Sequence, residues 1–189
     1  FFCELGLVME HEFISIVMKQ VVPHDLCDEI ITMGQDKWEG SVVGLENPEV
    51  KSSVRKSDVA WIAEKRIQDI FWSLMQEANV RGGWNFDIRK IHELQLTRYT
   101  APSDKYDYHV DFQDSKIIGD NVRKLSMTCL LNDDFVGGKF QFNNGKEMTV
   151  ELKKGDVLFF PSFYLHRVKK VTKGTRYSLV GWYCGEYFK

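Results

Sequence analysis

The chain of 189 residues lacks any excess of positive charge, because 25 lysines and arginines face 27 aspartates and glutamates for a net charge of −2. Its overall field does not attract polyanions, which disfavours general nucleic-acid binding. Apolar runs are also short, well below the roughly 20 residues that cross a bilayer as a helix, so no membrane partner is expected. Residues 1–12 have no basic stretch followed by a small-residue cleavage site and do not read as a signal peptide. The four cysteines, Cys3, Cys27, Cys129 and Cys184, form no C-x-x-C pair and lie in apolar stretches. This excludes a zinc knuckle or a dense disulfide framework and favours buried free thiols in a reducing, cytoplasmic compartment. With only four prolines, long loops are not expected. What remains is 43% hydrophobic and 13% aromatic, the balance of one soluble domain rich in strands or ring-lined pockets.

The periodicity divides the chain in two. Residues 13–22 are β-branched enough for a strand that Pro23 ends, and Leu26, Ile30 and Met33 predict a helix stopped at Gly34. Residues 37–57 have no clear period and suggest a loop or irregular edge hairpin. A second helix is predicted from a cap at Ser57 or Asp58, with Ala63, Ile67, Ile70, Phe71, Leu74, Met75 and Ala78 on its apolar face, to Gly82-Gly83. Beyond Gly83 the period falls to two. Strands are predicted at 86–99, 106–112, 123–131, 138–142, 146–152, 156–160, 164–171 and 175–183, with turns at Asn143-Asn144-Gly145 and Lys154-Gly155-Asp156. Two helices followed by uninterrupted strands exclude a parallel β/α layout. The expected fold is α+β but mainly β: a jelly-roll core at about 84–189 with the two N-terminal helices of a support region, about 1–83, packed outside.

His109-Val110-Asp111 lies in a predicted strand, where residues two apart share a face, so an imidazole and a carboxylate converge. His166 in a later strand can complete a two-His, one-carboxylate set that leaves open positions on a metal. Arg176 and Ser178 share a face of the last strand, within apolar surroundings. A buried guanidinium needs an anion, and a dicarboxylate that chelates the metal at one end can meet Arg176 at the other.

Arg98-Tyr99, Tyr106, His109, Asp111, Leu131-Asn132, Gly137-Gly138-Lys139-Phe140, Gly155-Asp156-Val157-Leu158-Phe159-Phe160-Pro161, His166-Arg167-Val168 and Gly174-Thr175-Arg176-Tyr177-Ser178 stand in an order and spacing that resemble the iron(II)- and 2-oxoglutarate-dependent dioxygenases, in particular the prolyl 4-hydroxylase branch. The resemblance covers residues 94–184. It implies a double-stranded β-helix with Fe(II) on His109, Asp111 and His166, and 2-oxoglutarate held at its far carboxylate by Arg176 with Tyr99 and Ser178. Oxygen is the second co-substrate and ascorbate (L-ascorbic acid) the reductant. The implied reaction hydroxylates prolyl residues in a peptide or protein with release of succinate and CO2. Halogenating relatives lack the carboxylate that Asp111 supplies, which favours hydroxylation. Tyr106, Arg123 and Trp182 resemble positions that frame the target proline and its backbone. Two departures stand out: Leu130 occupies the place of a second oxoglutarate-binding tyrosine in some relatives, and residues 112–122 are longer than in compact ones, as a lid or a solvated loop. Residues 55–61 resemble a segment bordering the substrate channel, and read equally well as a capped helix with Trp61 in the core.

Other readings differ in what they require. A free amino acid or small metabolite as acceptor needs the same oxygenase site. A cupin-type jelly roll normally carries H-x-H with a following Glu, which is not what stands at His109. A non-catalytic jelly roll that binds peptides or sugars has no need of His109, Asp111, His166 and Arg176 together. A nucleic-acid dealkylase would show a basic face, against a pI of about 6.2.

Overall fold

The computed structural model describes residues 14–41, 54–112 and 121–188. The expected first strand is confined to β1 (Ile16–Met18), and Pro23 is the N-cap of α1 (His24–Met33), which buries Cys27 and Ile30. The second helix, α2 (Lys65–Arg81), buries Ile67, Phe71, Met75 and Ala78, the stripe expected from their spacing.

This helix starts later than predicted. Residues Asp58–Ile62 form strand β4, antiparallel to β5 (Lys90–Thr100), with Ala60 opposite Leu96. Pairing to a sheet that needs a neighbour overrides the helical period here, and Val59 and Ile62 suit the pleat. Trp61 is accordingly 38% exposed rather than in the core. Parts of the segment expected as a loop or hairpin are β2 (Glu39–Gly40), which pairs β4, and β3 (Arg55–Lys56), which pairs β6 (Lys105–His109). They join different sheets and form no hairpin with each other.

The remaining strands are β7 (Asn121–Leu130), β8 (Val136–Gly137), β9 (Phe140–Asn143), β10 (Glu147–Val150), β11 (Val157–Pro161), β12 (His166–Val168), β13 (Val171–Lys173) and β14 (Thr175–Glu186). The single strand expected at 164–171 is split, because β13 leaves to pair β8 in a separate ribbon. A seven-stranded sheet in the order β1-β11-β7-β14-β5-β4-β2 faces a five-stranded sheet in the order β10-β9-β12-β6-β3. The Asn143-Asn144-Gly145 turn joins β9 to β10, with Gly145 at φ 79° as such a turn requires.

Alternation along one strand builds two cores. Val157 and Phe159 of β11 join the core under the helices, whereas Leu158 and Phe160 join the core between the sheets. The turn before β11 secures the N-terminal strand. Asp156, fully buried, accepts the backbone N–H groups of Gln20 and Lys153, each at 2.8 Å. Gly155 beside it is at φ 85°, where a Cβ would lie 2.4 Å from the Val22 carbonyl oxygen. Cys27, Cys129 and Cys184 are buried free thiols, as expected, whereas Cys3 lies outside the described residues. No helix among the described residues is long and apolar enough to cross a membrane.

Candidate active site

His109 closes β6 and His166 opens β12, and the two are direct partners across this antiparallel pair. Each ring is turned by the carbonyl two residues before it: His109 Nδ1 lies 2.7 Å from the Asp107 oxygen and His166 Nδ1 2.9 Å from the Tyr164 oxygen. With Nδ1 donating to a carbonyl, Nε2 keeps its lone pair for a metal. Asp111 converges on the same point by a route that strand parity does not describe. It lies past the end of β6, where its N–H donates to the Ser162 carbonyl at 2.9 Å. Its Oδ1 is 3.6 Å from His109 Nε2 and its Oδ2 3.5 Å from His166 Nε2. Among the described residues this is the one His/Cys/Asp/Glu group whose donor atoms gather so closely, all within 4.8 Å of one another.

The electrostatics favour the ligand forms. Burial pushes the Asp111 carboxyl up, but His166, His109, a hydrogen bond from Ser126 and the nearby Arg123 outweigh it and hold the group below the usual carboxylate range. Burial, followed by the neighbouring His166, drives His109 down to about 4 against the pull of Asp111, so His109 is neutral near pH 7. Ser126 Oγ also meets Ser162 Oγ at 2.9 Å, which ties the carboxylate's support to the loop that holds its backbone. Rings wall the donors in: Tyr106 stacks on His109 with centroids 3.4 Å apart, and Phe140 lies parallel to His166 at 5.4 Å. Burial pushes the Tyr106 phenol up to about 12, so it stays a neutral hydrogen-bond donor.

The triad opens into a cleft of about 430 Å³, its mouth included, whose walls include Tyr99, Ser178 and Trp182. Arg176 sits at the boundary of this cleft rather than in it. Its chain lines a neighbouring cavity with Leu130 and Gly138, while Nη1 donates to Ser178 Oγ at 2.8 Å and the guanidinium carbon is 5.7 Å from the Tyr99 ring centre. Gly138 makes room for it, since a Cβ there would come within 2.8 Å of Arg176 Cδ. Arg176 is 2% exposed, and burial depresses its guanidinium. No carboxylate among the described residues forms an ion pair with it, so a buried cation awaits an anion.

The other expected residues also reach the cleft region. Arg123 lies 4.1 Å over the Trp182 ring, with Nη2 3.3 Å from His92 Nδ1, while Arg123 Nε and Trp182 Nε1 are buried without a hydrogen-bond partner. Residues 113–120 of the expected lid lie outside the described residues. Of residues 55–61, Arg55 lines the cleft, and the capped-helix reading gives way to strands β3 and β4. The sequence reading did not single out Arg55, Gln95, Thr128 or Ser126 as site residues. Gln95 and Thr128 occupy the inward positions of long strands, and that alternation was their available signal.

Residues 94–184 match the sequence profile of the 2OG-Fe(II) oxygenase superfamily. A PKHD-type hydroxylase of Synechococcus sp. (strain CC9605) is 39% identical over 99 residues, 50% of this chain and 43% of that protein. Another, of Synechococcus elongatus, is 34% identical over 140 residues, 70% of this chain and 60% of that protein. The chain spans about half the length of the curated relatives it matches. In fold it is similar to a Pseudomonas putida prolyl-4-hydroxylase, with a TM-score of 0.68 and 21% identity over 89% of this chain and 91% of that one. It is also similar to the viral collagen prolyl hydroxylase of Paramecium bursaria Chlorella virus-1 in its complex with 2OG, with a TM-score of 0.71 and 20% identity over 94% and 99%. These likenesses place its two sheets as a double-stranded β-helix.

Proposed function

This chain belongs to the 2OG-Fe(II) oxygenase superfamily, and on that premise we propose that it hydroxylates prolyl residues of a peptide or protein at C4, using Fe(II), 2-oxoglutarate and O2. The observation that carries this reading is the pairing of a His109-Asp111-His166 donor set with a buried Arg176 that has no carboxylate partner among the described residues. The donor set fits a divalent iron: two imidazoles with free Nε2 atoms and one ionised carboxylate, on a site whose remaining faces are open to the cleft. Arg176, braced by Ser178 and facing Tyr99, fits the far carboxylate of oxoglutarate.

Bound iron with its two co-substrates supplies the oxidising power that replaces a C–H hydrogen by hydroxyl, while oxoglutarate leaves as succinate and CO2. The chain supplies position and dryness. His109, Asp111 and His166 hold the metal. The fork of Arg176 fixes the length and direction of oxoglutarate from the opposite end, with Ser178 and Tyr99 donating beside it. Phe140 and Phe160 pack on His166 and keep bulk water from the donors. Tyr106, Arg123 and Trp182 frame the acceptor, with Arg123 free to donate from Nε to a peptide carbonyl. A proline-rich segment already favours the extended polyproline II shape and loses little conformational entropy on entering such a cleft. The chain is also similar in fold to a Trichoplax adhaerens prolyl hydroxylase in complex with a hypoxia inducible factor oxygen degradation domain peptide fragment, with a TM-score of 0.69 and 18% identity over 89% of this chain and 82% of that one. It supports a peptide acceptor here by fold.

The test is mass spectrometry of succinate formation and of a +16 Da shift. Short proline-containing peptides are expected to turn over, whereas free proline and the same peptides with alanine in place of proline are not. Equal turnover after that replacement removes the prolyl assignment and leaves the oxygenase assignment standing.

A further inference from the structure

Five of the eight arginines are neutralised in ion pairs: Arg66 with Glu29, Arg81 with Glu77, Arg89 with Asp87 and Glu186, Arg98 with Asp58, and Arg167 with Glu147. The other three, Arg55, Arg123 and Arg176, have no ion pair within 4.0 Å among the described residues: Arg55 lines the cleft, Arg123 stacks on its Trp182 wall, and Arg176 lies at its boundary against Ser178. The described carboxylate facing them there is Asp111. Iron and a doubly charged oxoglutarate cancel each other, so loading the site leaves this surplus of positive charge intact. Among the described residues, a chain with a net charge of −2 thus carries a cationic cleft.

Arg176 is assigned to oxoglutarate and Arg123 to the peptide backbone, which leaves Arg55. Its guanidinium is fixed by neutral acceptors: Nε donates to Ser57 Oγ at 3.0 Å, Nη2 donates to Gln95 Oε1 at 2.9 Å, and the side chain also hydrogen-bonds Tyr99. It also stacks 4.6 Å over the Tyr106 ring, whose other neighbour is the His109 ring. Arg55 is therefore held rigidly one aromatic ring away from a metal ligand. A guanidinium has five N–H donors, and these contacts leave donors and the full charge available to the cleft. The cost of ordering a long side chain has already been met by the fold, which is the condition under which an ion pair adds to affinity and specificity.

We propose that Arg55 selects acceptor peptides carrying a carboxylate, from Asp or Glu, within about two residues of the target proline, since an extended chain advances roughly 3.3–3.6 Å per residue. The inference rests on the prolyl reading and names the substrate class of that same cleft.

The experiment measures binding by fluorescence anisotropy, without oxygen, to protein loaded with Mn(II) and oxoglutarate. The probes are proline-containing octapeptides in matched pairs, with Asp or Glu against Asn or Gln at each of the two positions on either side of proline. Wild type is expected to prefer an acidic peptide roughly tenfold at one position, the effect of one charge-assisted hydrogen bond. Arg55→Gln is expected to bind the two members of that pair alike. Arg55→Glu is expected to prefer a Lys-bearing probe at the same position, and Arg55→Lys to keep part of the acidic preference. Thermal melts establish that each variant is folded, and the Lys variant carries the test if Gln or Glu unfolds the chain.

Indifference of wild type to the acid overturns the proposal. So does an Arg55→Gln variant that weakens acidic and neutral peptides equally, or one whose principal defect is in oxoglutarate binding, which would place Arg55 on the co-substrate. Failure of the prolyl reading has a different signature, because it leaves peptide binding or turnover insensitive to replacing proline by alanine whatever the charge of the neighbours.

Discussion

Replacing Arg176 by Met keeps the aliphatic stem while removing the charge and the fork, and the structure gives opposite expectations for the empty and the loaded protein. Arg176 is 2% exposed, burial depresses its guanidinium, and its described polar side-chain partner is the neutral Ser178. An uncompensated buried cation costs several kcal/mol, so the ligand-free Arg176→Met variant is expected to melt no lower than wild type, and higher once the lost Ser178 bond is outweighed. The loaded protein reverses this order. Losing a charge-assisted bond to the oxoglutarate carboxylate costs about 1.5–3 kcal/mol, or roughly ten- to over a hundredfold in affinity. At an oxoglutarate concentration near 100 times the wild-type Kd, mass action raises wild-type stability by about 2.7 kcal/mol. At roughly 2–4 °C per kcal/mol for a domain of this size, that is a shift of about 5–11 °C. A thirtyfold weaker variant would sit near three times its Kd and shift by only about 2–3 °C. The assay is differential scanning fluorimetry with Mn(II), with and without oxoglutarate, in the absence of oxygen. An undiminished oxoglutarate shift in Arg176→Met would refute the assignment, and a ligand-free melt well below wild type would show that its charge is compensated within the fold.

Other outcomes follow from the same contacts. Ser126→Ala, which removes the hydroxyl supporting Asp111 and Ser162, is expected to weaken Mn(II) binding about tenfold or more, read by electron paramagnetic resonance of free Mn(II). Asp111→Ala should abolish both metal binding and succinate release in the same preparations. Asp156→Ala leaves two backbone N–H groups without their acceptor and is expected to cost about 2–4 kcal/mol in a urea melt, with the oxoglutarate shift retained in the folded fraction. His109 has its folded pKa lowered to about 4 from an ordinary 6.5, so its neutral form is the one the fold prefers. Its contribution is fully present above pH 6.5 and lost as pH falls toward 4. The metal-free protein should therefore lose about 3 kcal/mol over that window, and His109→Gln should flatten the profile.

The chemistry was more legible in the sequence than the architecture that presents it. His109, Asp111 and His166 announce themselves because few residue types bind metal and they stand in a family-like order and spacing along the chain. The reason given for their convergence was only partly right, since Asp111 lies beyond β6 and is placed by Ser162, a contact with no local sequence signal. Helix α2 was visible through its buried stripe. Its start was not, because β4 owes its conformation to pairing with β5, a partner more than 30 residues away. Arg55 was noticed only as part of the 55–61 segment, for the same reason. It lies on a two-residue strand whose place beside the His109 donor set is fixed by β6, and only the folded chain reveals that its charge has no ion-pair partner among the described residues.

Strand β14 runs between β5 and β7, and the positions of Arg176, Ser178, Val180 and Trp182 alternate with those of Leu179 and Tyr183, which enter the core under the helices. The buried guanidinium of Arg176 and the cleft-lining Ser178, Val180 and Trp182 are thus consecutive notches on one ruler. A single residue inserted between Arg176 and Ser178 would not be a local lesion: unless a bulge absorbed it, as at the register shifts near Tyr183, the downstream notches would turn to the opposite face. Register along this strand, rather than residue identity, is the quantity that an insertion scan of β14 would find least forgiving.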